Sequence, residues 1–287
     1  MRMPGVLMVS CLCACGGGAA APADDLADGV LGLPRELREV SGICAVDERT
    51  LACLQDEAGA LYFVDLAGQQ LPRVAVFSEP GDFEGVARVG DEFWVLRSDG
   101  VLMRLHAKAQ QLVVASTHRL PAVHREWEAL CFDGDRKVLL AMPKDAASKA
   151  KGERDLRFVY AIDPATGATQ ENPVLVLDSD VLVGQAEARD IALPTRTSQK
   201  GKTRTVLRLA SSEILAVPGT DHLLVLSAVD HLLLEVDRAG RLLAAWMLDE
   251  KELPQPESMA FLPDGRLLVA SEGAGGLGVV RVLRRDK

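Results

Sequence analysis

The 287-residue sequence lacks any surplus of positive charge. Its 32 Lys and Arg residues are outnumbered by 41 Asp and Glu residues, so the formal net charge is -9 at pH 7. Nucleic-acid binding relies on a basic surface that releases counterions from the phosphate backbone. The charge balance therefore argues against a nucleic-acid partner and favours cations or neutral ligands.

The sequence also lacks the common catalytic signatures. Its five His residues show neither an HExxH motif nor another paired metal-binding spacing, and no Ser lies in a GxSxG elbow. The glycine-rich run at residues 273–278 does not lead from a strand into a helix, so it is interpreted as a turn rather than a phosphate-binding loop. Nothing in these patterns identifies an enzyme.

From residue 30 onward, helical periodicity is absent. Short apolar runs alternate with Gly, Pro and Asp turns, which is typical of many short strands. With 48% hydrophobic and 25% charged residues, the composition is that of an ordinary globular protein with a sizeable core. These features predict one all-β domain over residues 30–287.

The N-terminus differs from the body. A single Arg precedes a short apolar run at residues 4–14, which is too short to span a bilayer and is typical of a signal peptide. The run ends in Leu12-Cys13-Ala14-Cys15, which resembles a bacterial lipobox and implies cleavage after residue 14 and acylation of Cys15, for example with palmitate. An ordinary secretory signal that is cut elsewhere is the alternative.

A flexible tether is predicted over residues 15–29, because this Gly-, Ala-, Pro- and Asp-rich stretch has too little apolar surface to order itself. In the lipobox resemblance, Gly16 after the acylated Cys favours the outer membrane, with the inner (cell) membrane as the alternative. The predicted location is therefore the cell envelope, with the domain facing the periplasm.

The body contains an internal repeat. Similar strand-opening segments recur at spacings of 43, 44, 84 and 45 residues, and their first members are Ser41, Glu84, Glu128, Ser212 and Glu257. A period of about 40 to 45 residues is typical of propeller blades of four strands. The long spacing is close to two periods, so a degenerate repeat is expected within residues 172–211.

These counts predict a six-bladed β-propeller, with five blades as the alternative. The last repeat has only three apparent strands, so residues 31–40 are expected to add the fourth and close the ring. Two basic segments, residues 144–157 and 196–204, interrupt the pattern and are interpreted as solvated loops rather than anion sites.

Four segments carry a family resemblance, namely residues 39–43, residues 82–86, the pair 222–227 and 234–237, and residues 255–261. Together they resemble the SdiA-regulated (YjiK-like) family of periplasmic β-propellers. The resemblance covers roughly residues 35–285 and departs from the family pattern after Asp178. It implies a six-bladed fold and membrane attachment; some members are linked to calcium, and none has a firmly assigned catalytic activity.

The repeat places oxygen-bearing side chains at the mouth of the central channel, because the first strand of each blade is innermost. The predicted mouth residues are Glu84, Glu128, Glu257, Ser41 and Ser212. The second strands end beside them and are expected to add an acidic rim that includes Asp56, Asp99 and Glu272. Carboxylate and hydroxyl oxygens are ligands that Ca²⁺ prefers, whereas the alternative is that each Glu caps its own blade.

The predicted function is a ligand-binding, ion-binding or sensing module of the cell envelope, with calcium as the candidate ion and either a small ligand or an envelope protein as partner. One alternative is a metal-dependent hydrolase of the propeller lactonase or esterase kind. Such sites usually use Asn ligands from several blades, and Asn172 is the only Asn in the sequence. A protein-interaction platform is the third hypothesis.

Two cysteines bracket the first predicted hairpin. A two-residue turn at Glu48 and Arg49 would place Cys44 opposite Cys53, at a separation that suits a disulfide in an exported protein. Two buried thiols are the alternative, because Glu-Arg is a poor pair for a tight hairpin turn. Cys131 is predicted to be a buried free thiol.

Overall fold

Short apolar strands separated by Gly and Asp turns build the body as a ring of five sheets. The computed structural model describes residues 29–68, 70–108, 111–144, 146 and 153–283. The predicted signal peptide, the lipidation residue Cys15 and the tether up to residue 28 lie outside the described residues. Among those that are described, no helix is long and apolar enough to cross a membrane.

Each blade is a four-stranded antiparallel sheet. Strand β1 (Val30–Gly32) is the outer strand of blade 5. Blade 1 contains β2 (Val40–Ala45), β3 (Thr50–Gln55), β4 (Ala60–Asp65) and β5 (Arg73–Val76). Blade 2 contains β6 (Phe83–Val89), β7 (Glu92–Arg97), β8 (Val101–Lys108) and β9 (Gln111–Arg119).

Blade 3 contains β10 (Trp127–Asp133), β11 (Val138–Pro143), β12 (Leu156–Ile162) and β13 (Leu175–Asp178). A helix, α1 (Ser179–Ala188), and a hairpin of β14 (Thr195–Thr197) and β15 (Thr203–Thr205) follow. Blade 4 contains β16 (Glu213–Ala216), β17 (His222–Ser227), β18 (Leu232–Asp237) and β19 (Leu242–Met247). Blade 5 contains β20 (Gln255–Phe261), β21 (Leu267–Glu272), β22 (Val279–Leu283) and β1.

The all-β propeller is confirmed, but the preferred count of six blades is wrong and the alternative of five is correct. The segment expected to hold a sixth blade instead supplies β13, α1 and the β14–β15 hairpin. Asp178 caps α1 by accepting hydrogen bonds from the backbone N–H groups of Asp180 and Val181. The helix packs Leu182 and Ala186 into the core between blades 3 and 4.

Ring closure by an N-terminal strand is confirmed. Strand β1 pairs antiparallel with β22, with Val30 opposite Arg281 and Gly32 opposite Val279. The strand is shorter than expected, because Pro34 has no N–H to donate and a short 3-10 helix, Arg35–Leu37, follows it. Strand β1 thus covers the outer edge of β22 and supplies the fourth strand of blade 5.

The core lies between the blades rather than within them. Each of the five apolar clusters fills the space between two neighbouring sheets, for example Leu54 and Val95 between blades 1 and 2. The inner strands β2, β6, β10, β16 and β20 contact one another around the ring. The five inner strands thereby surround a central channel, whose two ends are chemically different.

Candidate functional site

A bulge in the inner strand shapes one mouth of the channel. In blades 1, 2, 3 and 5 the register shifts near the start of this strand, at its second residue in blades 1, 2 and 3 and at its third in blade 5, so one residue has no partner on the next strand. These unpaired residues are Ser41, Glu84, Glu128 and Glu257, all of them residues that the repeat predicts at the channel mouth. Ser212 directly precedes the corresponding strand of blade 4.

The mouth gathers carboxylates that perturb one another. Burial and the charges of Glu128 and Asp82 raise the pKa of Glu84 to about 9. Burial and the charges of Glu128 and Glu272 raise the pKa of Glu257 to about 8. The charge of Glu128 thus contributes to the raised pKa of both Glu84 and Glu257, which come from two other repeats.

Two predicted rim residues join this group. Burial and the charges of Asp56 and Glu39 raise the pKa of Glu272 to about 7. Burial also raises the pKa of Asp56. This effect outweighs the hydrogen bond from the backbone N–H of Glu57, which by itself would lower the pKa. The third predicted rim residue differs: Asp99 forms an ion pair of 2.7 Å with Arg97, and this contact holds its pKa below the usual range.

The two serines at the mouth use their hydroxyls for structure. Ser41 donates a 2.7 Å hydrogen bond to the backbone oxygen of Phe83, which ties blade 1 to blade 2. Ser212 accepts a 3.3 Å bond from the backbone N–H of Ala228 and also bonds to the Glu257 carboxylate. Both serines are therefore blade-to-blade links in this structure.

Lys144 supplies positive charge to the acidic mouth. Its ammonium forms an ion pair with Glu128. Burial disfavours the charged form, but the bond to Glu128 and the charges of Glu84 and Glu257 outweigh burial and raise the pKa of Lys144. The sequence pattern did not single out this residue, because it begins a basic segment that was interpreted as a solvated loop.

We define the acidic mouth as Glu84, Glu128, Glu257, Glu272, Asp56 and Asp82 together with Lys144. Burial, together with repulsion between neighbouring carboxylates, raises the pKa values of its glutamates. Among the described residues, no group of three or more His, Cys, Asp or Glu side chains has a geometry that could hold a metal ion.

Below the acidic mouth, Glu213 crosses the channel. Its Oε1 accepts hydrogen bonds from the backbone N–H of Leu130 at 3.2 Å and of Ile214 at 2.9 Å. Its Oε2 accepts a 2.8 Å bond from the hydroxyl of Ser258, whose oxygen in turn accepts a 2.9 Å bond from the N–H of Ile43. One carboxylate thus connects blades 3, 4 and 5 directly and blade 1 through Ser258.

Glu213 occupies a position where the other blades have small residues. Register places it in line with the residues Gly42, Gly85, Ala129 and Ser258. Burial raises the pKa of Glu213 to about 8. The hydrogen bonds from Ser258, Ile214 and Leu130 lower this pKa but do not offset the effect of burial. The sequence pattern missed this residue, although a lone Glu in a column of small residues was the signal.

The opposite end of the channel has a mixed lining. A cavity of about 270 Å³ is formed there by the inner strands of all five blades, with apolar residues such as Ile43 and Met259 beside the charged residues Arg88, Asp133 and Asp135. Glu213 is not among the lining residues. The two ends of the channel therefore differ, since this end combines apolar residues with charges of both signs around a cavity.

The predicted opposition of Cys44 and Cys53 is wrong by one residue. Cys44 pairs with Ala52 and Cys53 pairs with Ile43, because the turn spans residues 47–49 rather than two residues. A one-residue slip moves a side chain to the other face of a sheet. Cys44 accordingly packs between blades 1 and 2, Cys53 packs between blades 5 and 1, and both are free thiols. Cys131 is a buried free thiol, as predicted.

Comparison with known proteins supports the family and the fold. Residues 167–274, which include all of blade 4 and the first two strands of blade 5, match the model of the family described as SdiA-regulated. The match confirms the resemblance predicted from the sequence. No curated protein sequence matches the chain.

One solved structure with a TM-score above 0.5 supports the fold. Glutaminyl cyclase of Myxococcus xanthus aligns with a TM-score of 0.54 at 12% identity, over 89% of this chain and 97% of that one. Hydrazine synthase of Kuenenia stuttgartiensis aligns with a TM-score of 0.49 at 14% identity, over 87% and 97%. At 12% identity, the similarity to the glutaminyl cyclase concerns the fold alone.

Proposed function

We propose that this member of the SdiA-regulated family is a cell-envelope lipoprotein that binds a cation, or a ligand with a cationic group, at its acidic mouth. The observation that carries the proposal is the group of inward carboxylates around the single ammonium of Lys144. The lipobox-like sequence at Cys15 supports attachment to the membrane and exposure to the periplasm, where such ligands are accessible.

The charge of the acidic mouth favours a cationic ligand. Carboxylates that repel one another take up protons until the repulsion is relieved, and a bound cation relieves it in the same way. The ammonium of Lys144 already serves as one cation of the acidic mouth, since it contacts Glu128. A ligand cation would bind beside Lys144 or displace it, and proton release from the glutamates would accompany binding.

Calcium is the ion to test first, because carboxylate oxygens are its usual ligands. The described carboxylates do not form a metal site as they stand, so the proposal requires a Ca²⁺ ion that displaces Lys144 to draw them together. The measurement is isothermal titration of CaCl₂ into the chelator-treated full-length chain in detergent at pH 7.5. The triple variant Glu84→Gln, Glu128→Gln and Glu257→Gln removes three carboxylates of the acidic mouth while it preserves their size. We expect saturable binding by the parent and its loss in this variant.

A matched control variant removes the same number of carboxylates from exposed positions outside the acidic mouth. Glu48, Glu79 and Glu171 are exposed, so replacing all three by Gln leaves the acidic mouth intact. Calcium binding that persists in this control and is lost in the mouth variant supports the proposal. If neither Ca²⁺ nor an organic cation such as putrescine gives heat or a thermal shift with the parent protein, the proposal is wrong.

A further inference from the structure

A cavity lies between blades 3 and 4, apart from the channel. Its volume is about 240 Å³. The lining residues are Val138, Leu140, Val159, Ala161, Val174, Leu175 and Leu223, together with Arg136, Gln170 and Arg238. Cavities that hold drug-sized ligands measure roughly 300–1,000 Å³, so the volume suits a smaller molecule.

The interior wall of this cavity is apolar and buried. Leu140, Val159 and Leu223 are almost fully buried and belong to the cluster that joins blades 3 and 4. At the entrance, Val174 is 43% exposed. The cavity thus leads from solvent to a hydrocarbon-lined end, which suits an aliphatic group.

The polar end of the cavity has an unsatisfied donor. Arg238 donates a 2.6 Å hydrogen bond from Nη2 to Oδ2 of Asp133, but its buried Nε has no partner among the described residues. Leaving a buried N–H of a charged group without an acceptor is unfavourable, and such groups in native proteins usually have a partner. An acceptor supplied by a ligand would satisfy it.

A second guanidinium group, that of Arg136, also lines this cavity. Arg136 pairs with Asp221 at 2.6 Å, where the Asp221 side chain is 78% exposed, and with the buried Asp133 at 3.7 Å. The exposed pair contributes little stability, so Arg136 exchanges Asp221 for a ligand carboxylate at small cost while its contact with Asp133 remains. Planar guanidinium groups bind carboxylates through paired hydrogen bonds. Arg136 and Arg238 therefore favour a carboxylate over a neutral head group.

We propose that this cavity binds a small amphiphile, an aliphatic chain that ends in a carboxylate. The chain would lie against Val159, Leu175 and Leu223, and the carboxylate would accept hydrogen bonds from Nε of Arg238 and from Arg136. Dividing the cavity volume by ~30 Å³ for each water-sized group gives about eight such groups. Octanoate is therefore the probe of choice, and this site is independent of the acidic mouth.

The test is isothermal titration of the full-length chain with octanoate, with 1-octanol as the probe that keeps the tail and lacks the carboxylate. We expect saturable binding of octanoate that is about tenfold tighter than that of octanol, the ratio that one charged hydrogen bond of ~1.4 kcal/mol supports. Equal binding of the two probes would overturn the proposal, and so would the absence of saturable octanoate binding.

Variants locate the site. Arg238→Lys keeps the charge but removes the Nε donor, so octanoate should bind about tenfold more weakly. The matched control is Arg241→Lys, because Arg241 lies in the same β18–β19 turn, with a side chain that is 74% exposed, and does not line the cavity. Unchanged octanoate binding by Arg238→Lys would contradict the proposed role of this arginine.

A third variant tests the cavity without disturbing the buried ion pair. Val174→Trp places a large side chain at the entrance, where the native residue is partly exposed and the core is untouched. We expect octanoate binding to be lost while the far-ultraviolet circular dichroism spectrum and thermal midpoint remain those of the parent. Full octanoate affinity in a folded Val174→Trp protein would place the ligand elsewhere and overturn the assignment.

Discussion

The hydroxyl of Ser258 donates a hydrogen bond of 2.8 Å to Oε2 of Glu213, across the boundary between blades 4 and 5. Glu213 also accepts bonds from the backbone of Leu130 in blade 3, while Ser258 accepts one from Ile43 in blade 1. Four of the five blades therefore depend on two adjacent side chains for hydrogen-bond partners at the axis of the ring.

Removing the Glu213 carboxylate should destabilise the whole ring. Glu213→Ala leaves the N–H groups of Leu130 and Ile214 and the hydroxyl of Ser258 without their acceptor, and we expect a loss of about 3 kcal/mol in the free energy of unfolding. Denaturant unfolding measures this loss. A double-mutant cycle with Ser258→Ala should give a coupling energy of about 1 kcal/mol or more, whereas additive losses would contradict a shared network.

Stability should fall with rising pH because of Glu84. Its pKa is about 9 in the folded protein and near 4.5 when exposed, so its contribution is complete below pH 4.5 and is lost as the pH rises towards 9. Glu84→Gln removes this titration. The thermal midpoint of the variant should therefore rise relative to that of the parent between pH 5 and pH 9, while Glu79→Gln, at an exposed position, follows the parent at every pH.

Lys144 should stabilise the fold at neutral pH and oppose cation binding. Because its pKa is raised, the Lys144 side chain stays protonated up to at least its usual range near 10.5. Its ammonium stabilises the fold only where the neighbouring glutamates are ionised, and this contribution is lost as the pH rises through the pKa of Lys144. Lys144→Gln should lower the thermal midpoint at pH 8 more than at pH 5. The same variant should bind Ca²⁺ more tightly than the parent in isothermal titration, whereas Lys144→Arg should resemble the parent; weaker calcium binding by Lys144→Gln would contradict competition.

Cys44, Cys53 and Cys131 should resist alkylation in the native protein. Burial raises the pKa of Cys44 to about 12 and raises the pKa values of the other two thiols, so little reactive thiolate is present at pH 8. Peptide mapping after iodoacetamide treatment should find all three unmodified in native protein and all three modified in guanidinium without a reducing agent. A Cys44–Cys53 disulfide peptide would contradict the register of this hairpin.

The repeat made the propeller and its acidic mouth predictable, because the same strand-opening pattern recurs in every blade. The blade count failed for a physical reason. A spacing of 84 residues separates Glu128 from Ser212, and it is filled by the outer strands of blade 3, helix α1 and a hairpin. Propeller blades need not be joined by short connections, so sequence distance alone does not count them.

Glu213 and Lys144 escaped prediction for different reasons. Glu213 is visible in the aligned repeats as a carboxylate among small residues, but the repeated carboxylates and hydroxyls stand in the preceding column and dominate the pattern. Lys144 had no signal, because its ion pair with Glu128 depends on how the end of β11 lies beside β10. The disulfide prediction failed because the turn contains one residue more than assumed, and one residue decides which face each side chain occupies.

The pairing of β1 with β22 has a consequence for how the chain matures. These strands lie at opposite ends of the described domain, so blade 5 is complete only when β22 has been synthesised. Contacts between distant parts of a chain form late, after the entropy of closing the intervening loop has been overcome. Until β22 pairs with β1 the sheets form an open arc, so closure of the ring is a late folding step that couples the two ends of the domain.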